Sequence, residues 1–325
     1  MIPADKKPLV TLIIPVYGVE RFIGKCADSL FRQTYDNIEF LFVNDCTKDS
    51  SIIVLEEAIA SKYAHLKDKI TIINKDQNEG LPKARKTGFK YAKGDYILHV
   101  DSDDWVEHDM VESLVEKAVE TDADLIYCDF FYEYSDKAQE RITEPDYTAD
   151  QKADYINDFL DWETANAYTW NKLVAKRVLD RIKICPKYPM HEDLLLMGQV
   201  IFFAESIARV KKPLYHYRRD NLNSISNIKK YKLSRKRESA LNMFALYRFF
   251  NENAAGPEFT QARHNLLLRT AWYAFKYERA LFHKNRELHK DLYKVPITSR
   301  NFLPLPKQIL IKTYLTIYTF YRLFR

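Results

Sequence analysis

The chain has 325 residues, is 46% apolar and 29% charged, and carries a formal net charge of +5. That length holds one large domain and a smaller one, and that composition excludes a mainly disordered chain. The charge is unevenly spread: residues 1–210 carry a net −12 and residues 211–325 a net +17. Halves of opposite sign predict different partners, and an anionic membrane surface suits the basic half. Its cations are spread over helical segments rather than clustered, which argues against nucleic acid. Cys26, Cys46, Cys128 and Cys185 show no paired spacing, so neither a disulfide framework nor a zinc site is indicated, and a reducing, cytoplasmic compartment is expected. The opening MIPADKKPLV lacks the apolar core of a signal peptide, and no apolar run reaches the length of a spanning helix.

In chain order, short apolar runs alternate with amphipathic ones. Residues 9–16 (LVTLIIPV) read as a buried strand, followed by helical spacing in ERFIGKCADSLFRQT. IEFLFVN (38–44) is a second strand and SSIIVLEEAIASKYA a second helix. KITIIN (69–74) is a third strand, and LPKARKTGFKYAK a third helix with Pro82 in its first turn, where a missing N–H costs little. YILHV (96–100) is a fourth strand, and ADLIYCDFFYEY (123–134) a further one. Alternating strands and helices predict an α/β fold, a doubly wound and mostly parallel sheet. Past Asn227 strand signals fade and two long helical patterns follow, so the boundary is expected near Ile228, with domains at 1–228 and 229–325.

Ligands of open α/β sheets sit beyond the carboxyl ends of the strands. Here those ends read PVYG, VNDCTKDSS and DSDD. The seven glycines form neither a dinucleotide fingerprint nor a P-loop. Asp101, Asp103 and Asp104 fall within four positions of the end of the fourth strand, and like charges that close need a counter-charge. A hard divalent cation, Mg²⁺ or Mn²⁺, carrying a phosphate would supply it. Asp103 or Asp104 could instead cap a helix starting near His108.

The ordered set IIPVYGVERFIGKCADSLFRQTYDNIEFLFVNDCTKDSS, NEGLPKARKTGF, GDYILHVDSDDW, WNKLVAKRVL, HEDLLL and PLYHYRRDNLNSIS strongly resembles bacterial family 2 glycosyltransferases of the surface-polysaccharide type, over about residues 8–228. The resemblance implies a GT-A fold, a UDP-sugar donor, a divalent cation and inversion at the anomeric carbon. By position, Asp101-Ser102-Asp103 matches the metal-binding D-x-D motif, with Asp103 on the cation and Asp101 on ribose or metal-bound water. Asp45 matches the carboxylate that accepts the uracil N3–H. Pro15, Val16 and Tyr17 would line the base pocket, and Arg85 would stand by the diphosphate or a base carbonyl. His191-Glu192-Asp193 matches the E-D motif, with Asp193 as the base that deprotonates the acceptor hydroxyl. Glu192 and Asp193 could also merely favour a helix start, and His191 is expected to support the motif rather than ligate metal. Trp170 and Lys172 are expected to combine packing with an acceptor-side contact. Tyr215, Tyr217 and Arg218, followed by Ser224, either close over the diphosphate or form an edge strand with a solvated loop.

Two departures from the family pattern stand out. Asn44 and Cys46 occupy positions where Asp and Gly are usual, and Cys46 makes a left-handed turn less accessible. Lys86 replaces a common Asn. The expected acceptor is a glycan, lipid-linked at the inner face of the cytoplasmic membrane, with the protein peripheral there. The expected membrane contact is 305–325, where Tyr314, Tyr318 and Tyr321 share one helical face. The rival readings are a sugar nucleotidyltransferase, which needs a glycine-rich basic loop that IIPVYGVERF lacks, and a non-catalytic nucleotide-sugar-binding module.

Overall fold

The structure is a computed structural model, and it describes residues 7–161, 164–221, 224, 232–298 and 303–323. They form two compact units. The first comprises Met1–Lys152, Tyr168–Cys185 and Val200–Ile228; the second comprises Ala153–Ala167, Pro186–Gln199 and Lys229–Arg325. The last segment of the second unit begins at Lys229. Two earlier segments expected in the first domain group instead with the C-terminal helices.

The first unit is built on one mixed sheet. Its strands are β1 (Val10–Val16), β2 (Ile38–Asn44), β3 (Ile70–Asn74), β4 (Tyr96–His99), β5 (Trp105–Val106), β6 (Leu125–Glu133), β7 (Glu140–Ile142), β8 (Lys172–Ala175) and β9 (Ile207–Arg218). They lie in the order β3-β2-β1-β4-β8-β6-β9-β5, with β7 on β6. The β3-β2-β1-β4 half is parallel, as the alternating pattern requires. β1 is buried along its whole length, as expected for a strand covered on both faces. Helices α1 (Ile23–Phe31), α2 (Ser51–Lys62) and α3 (Leu81–Tyr91) follow β1, β2 and β3. Gly88 lets α3 approach the sheet: a Cβ there would stand 2.4 Å from Ile13 Cγ2.

β8 runs antiparallel to both β4 and β6, and β9 runs parallel to β6. β6 runs along one side of β9, and two-residue β5 covers the other side at Tyr215 and His216, while Tyr217 and Arg218 continue past it. The helix-cap alternative for Asp103 and Asp104 fails. The next helix, α4 (Met110–Thr121), starts after Asp109, and Asp104 is buried.

The second unit is helical. Helix α5 (Lys152–Asp161) begins at the last residue of the first unit and buries Tyr155, Ile156, Phe159 and Leu160 in the second. The Arg269 side chain donates to the Leu160 carbonyl. Short α6 (Lys176–Leu179) lies in the first unit, and α7 (Glu192–Phe203) starts in the second. Its Gly198 meets Leu246, where a Cβ would stand 2.9 Å from the side chain. Helices α8 (Lys232–Asn253), α9 (Thr260–Tyr277), α10 (Arg279–Lys284), α11 (Arg286–Lys294) and α12 (Leu305–Leu323) complete the unit. These contacts draw the two early segments to it, because their apolar faces match those of the later helices.

Tyr314 does not face outward. Its ring packs 4.6 Å from Phe275 and 5.9 Å from Phe282, with its hydroxyl 3.3 Å from His283 Nε2. The side chains of Tyr318 and Tyr321 lie outside the described residues. Among the described residues, the exposed large apolar side chains of α12 are Leu305, Ile309 and Leu310.

The loop after β2 carries the strain that its sequence suggests. Cys46 sits at φ 58°, the left-handed region, which costs roughly 1–2 kcal/mol for a residue with a Cβ. Asn44 helps hold it there, its Oδ1 accepting the Thr47 N–H at 2.9 Å. Replacing Cys46 by Gly is expected to raise stability by up to about 1 kcal/mol, or about 2–4 °C in Tm. Thermal unfolding of the variant checks this, and an unchanged or lower Tm counts against strain at Cys46.

Candidate active site

Three parallel strands deliver their carboxyl ends to one edge of the first unit. The ends are stitched together by hydrogen bonds, two of which use the hydroxyls of Ser102 and Thr47. Ser102 Oγ donates to the Pro15 carbonyl at 2.6 Å, and the Asp45 N–H to the Val16 carbonyl at 3.0 Å. The Gly18 N–H donates to Thr47 Oγ1 at 2.8 Å. Pro15 and Val16 are buried, and Tyr17 leaves half of its surface exposed. Of the three expected base-pocket residues, Tyr17 alone presents a ring to solvent.

Asp45 is 3% exposed and already well bonded. Lys75 Nζ lies 2.5 Å from Oδ1, the Glu79 N–H donates to Oδ1 at 3.1 Å, and the Gly80 N–H to Oδ2 at 2.7 Å. A carboxylate offers about four lone-pair sites, so one acceptor position remains. Lys75 is a site residue that sequence reading missed. It follows β3 directly, and the end of β3 was not treated as part of the ligand edge.

The DSDD segment sorts its carboxylates by environment. Asp101 pairs with the buried Arg85 guanidinium at 2.7 Å. Asp103 accepts from Asn221 Nδ2 at 2.7 Å, and its pKa is raised by burial and by the neighbouring Asp101 charge. Asp104 points inward and is 1% exposed. It accepts the Tyr215 hydroxyl at 2.8 Å and the Arg218 N–H at 2.8 Å. Burial, with Asp103 and Asp101 beside it, pushes its pKa well above the carboxylate range. Tyr215 also receives the Asp101 N–H at 3.1 Å, so one buried hydroxyl bridges the first and last carboxylate residues of the motif.

Trp170 backs this arrangement, stacking on Tyr215 at 4.2 Å and 16°. It therefore packs directly behind Tyr215. Lys172 is fully buried, its Nζ donating to the Tyr168 carbonyl at 2.8 Å and to Asn171 Oδ1 at 2.7 Å, so it presents no charge to a ligand. Arg218 donates from Nε to the Asp103 carbonyl at 3.0 Å and lies over the rings of Phe22 and Trp105. Lys25 Nζ sits 3.0 Å from the Trp105 ring centroid. Ser224 donates its N–H to the Asn221 carbonyl at 3.1 Å, which ties it to the loop holding Asp103.

The E-D motif belongs to the second unit. Asp193 lies in the first turn of α7, half-buried, with Oδ1 accepting the Leu194 N–H at 2.8 Å. Glu192 beside it is 3% exposed, so Asp193 is the more accessible carboxylate. His191 takes a left-handed φ of 58°. Burial, with Arg269 and Lys236 nearby, drives its pKa down to about 3, so the imidazole is neutral near pH 7. Asn242 Nδ2 donates to the carbonyls of Tyr188 and Met190, both at 2.8 Å, and so anchors the turn that precedes the motif.

The mixed, partly parallel sheet followed by a helical C-terminal region is a GT-A fold. Residues 11–183 match the model of glycosyl transferase family 2, and the chain belongs to that family. It is 33% identical over 219 residues to the Bacillus subtilis putative glycosyltransferase EpsH, covering 65% of this chain and 61% of that one. It is 34% identical over 232 residues to B. subtilis EpsJ, an uncharacterized glycosyltransferase, covering 68% and 64%. The matches thus span less than two thirds of these relatives' lengths. In structure, the chain resembles S. aureus TarS 1-349 in complex with UDP-GlcNAc, with a TM-score of 0.59 at 18% identity over 98% of this chain and 92% of that one.

Tyr215→Phe removes the hydroxyl between Asp101 and Asp104 while keeping the ring on Trp170. It should cost about 1–3 kcal/mol, because a buried carboxyl loses a donor and an N–H its acceptor. Chemical denaturation measures the loss. A change below about 0.5 kcal/mol would mean that the hydroxyl is dispensable.

Proposed function

We propose that the protein transfers a sugar, with inversion, from a UDP-sugar donor to a hydroxyl of a glycan acceptor in surface-polysaccharide synthesis. The observation that carries this reading is the sorted DSDD segment: two part-exposed carboxylates, Asp101 and Asp103, stand on a braced backbone at the ligand edge, beside Asp45. Asp45 would use its remaining acceptor position for the uracil N3–H. The UDP and UDP-GlcNAc complexes of TarS agree with a UDP-linked donor.

The residues present fit a divalent cation. Among the described residues no three His, Cys, Asp or Glu side chains gather into a self-sufficient metal site. Mg²⁺ and Mn²⁺ need only one or two carboxylates when substrate phosphates complete their shell. Asp103, whose carboxyl is pushed up by burial and by Asp101, gains from a neighbouring positive charge. The cation, when bound, neutralises the departing diphosphate. Asp101 and Asp103 would hold it, Arg85 would orient Asp101, and Arg218 would add fixed positive charge beside Asp103. The acceptor oxygen bonds to the anomeric carbon as the bond to the diphosphate oxygen breaks, through an oxocarbenium-like state. Asp193 would take the acceptor proton.

Two variants test the reading. Asp103→Ala is expected to abolish Mn²⁺-dependent UDP binding, measured by calorimetry, with the fold retained. Asp193→Asn should lower turnover by roughly 10²–10⁴-fold while UDP affinity stays within about twofold of wild type. Near-normal transfer by Asp193→Asn would remove it as the base, and unchanged UDP binding by Asp103→Ala would remove the metal site.

The acceptor is proposed to be lipid-linked, with the protein peripheral on the inner face of the cytoplasmic membrane. Among the described residues no helix is long and apolar enough to cross a bilayer. Tyr293, Ile297, Leu305, Ile309 and Leu310 are exposed within 18 residues of sequence, and Lys290, Lys294 and Lys307 beside them are exposed too. Such a mixture suits the boundary of an anionic bilayer, where each basic residue adds about 1 kcal/mol at low salt. The double change Ile309→Asp and Leu310→Asp should weaken cosedimentation with phosphatidylglycerol vesicles by tenfold or more, a loss of about 1.4 kcal/mol or greater. A wild-type chain that never sediments with these vesicles would refute the membrane reading.

A further inference from the structure

One surface of the first unit is not used by the donor chemistry above. In a strand, residues two apart share a face. Tyr215 and Tyr217 therefore lie on one face of β9, and Arg219 continues the same alternation, its N–H donating to the Glu133 carbonyl at 2.9 Å. Tyr215 touches the DSDD segment. The face then runs outward from the donor carboxylates.

That face is lined with aromatic rings. Trp170, 2% exposed, forms the back, stacked on Tyr168 at 4.6 Å and 16° and lying 5.3 Å from Tyr217. Tyr132, opposite Tyr217 in the β6–β9 register, lies 5.8 Å from it, and Tyr168 lies 5.5 Å from it. The hydroxyls of Tyr132 and Tyr168 are 3.5 Å apart. Tyr132, Tyr168 and Tyr217 all keep part of their surface exposed. The exposed Arg219 guanidinium lies 4.8 Å from the Tyr132 ring centroid and 5.5 Å from that of Tyr217.

A buried aromatic cluster would explain the rings but not the cation. An arginine held against two rings loses less rotamer freedom on binding, and its planar fork matches carboxylate and phosphate oxygens. Part-exposed rings suit the C–H faces of a sugar, because their π-faces are electron-rich. We propose that Tyr132, Tyr168, Tyr217 and Arg219 form the acceptor subsite, and that it takes a glycan bearing an anionic group, a phosphodiester or a carboxylate, close to the unit that receives the sugar. This rests on the reading of the protein as a glycosyltransferase. The rings hold the acceptor unit, and Arg219 pairs with the anion and fixes its orientation.

The experiment measures binding of three probes to the full chain by calorimetry, with UDP and Mn²⁺ present: a glycerol phosphate oligomer, a glucuronate-containing oligosaccharide and neutral chitotriose. At least one anionic probe should bind tenfold or more tightly than chitotriose, and which one does so identifies the anion. Arg219→Gln should erase that preference, and Tyr217→Ala should weaken the preferred probe at least fivefold. Both variants should keep wild-type UDP affinity, and Arg219→Gln should keep wild-type Tm. Equal binding of all three probes to wild type, or a preference that survives Arg219→Gln, would overturn the proposal. Loss of UDP affinity in either variant would also overturn it, by assigning the wall to the donor. A wild-type chain that binds no UDP refutes the UDP-donor reading itself, whatever the glycan probes do.

Discussion

The repulsion among Asp101, Asp103 and Asp104 is the constraint around which the first unit is arranged. Three carboxylates in four residues cannot all face one space as anions without compensation. The fold separates them. Asp104 turns into the protein, where its raised pKa favours the protonated form and Tyr215 and the Arg218 N–H bond to it. Asp101 is matched by Arg85. Asp103 accepts from a neutral amide, Asn221, and among the described residues forms no ion pair like that of Asp101, so it is the member of the set placed for an outside charge. This division gives three chemically identical side chains three different tasks.

Such an arrangement needs β9 as much as β4. Tyr215, Arg218 and Asn221 all come from β9 or the residues just after it, more than a hundred positions from the carboxylates they serve. The parallel pairing of β9 with β6 and its antiparallel pairing with β5 hold that strand in the sheet. His216 adds a further tie, its two ring nitrogens lying 2.6 Å from Glu133 and 2.9 Å from Glu107, while the ring stacks on Trp105 and Phe131. The carboxylate face of the site is thus braced from behind by aromatic stacking, which costs little conformational entropy to order.

Much of this was legible in the sequence. The first four strands and three helices follow from apolar periodicity, because a strand buried on both faces must be continuously apolar and the helices between must be amphipathic. The convergence of PVYG, VNDC and DSDD follows from parallel topology alone. β9 was harder to read: IARVKKPLYHYR mixes lysines with aromatics, and its lysines lie on a stretch that runs exposed before the strand becomes buried at Leu214. Lys75 was invisible for a different reason, since a lysine after a short strand has no local signature of the carboxylate it will meet across β2 and β3. The two segments that join the second unit were also hidden, because their partners are helices far along the chain. Tyr314 shows the limit of helical spacing as evidence. Spacing says which residues share a face, and only the packing of Phe275 and Phe282 says which way that face turns.

The same logic bears on the two carboxylates of the E-D motif. Spacing cannot distinguish Glu192 from Asp193, since both lie in the first turn of α7 and both favour a helix start. Burial separates them: Glu192 is withdrawn, and Asp193 keeps part of its surface. The residue before them sharpens the difference. His191, at a left-handed φ, turns the chain abruptly into the helix, and its ring is neutral near pH 7 because burial and two nearby cations oppose its protonation. The left-handed turn and the withdrawal of Glu192 therefore act together, one setting the direction of the helix start and the other leaving Asp193 as its more accessible carboxylate.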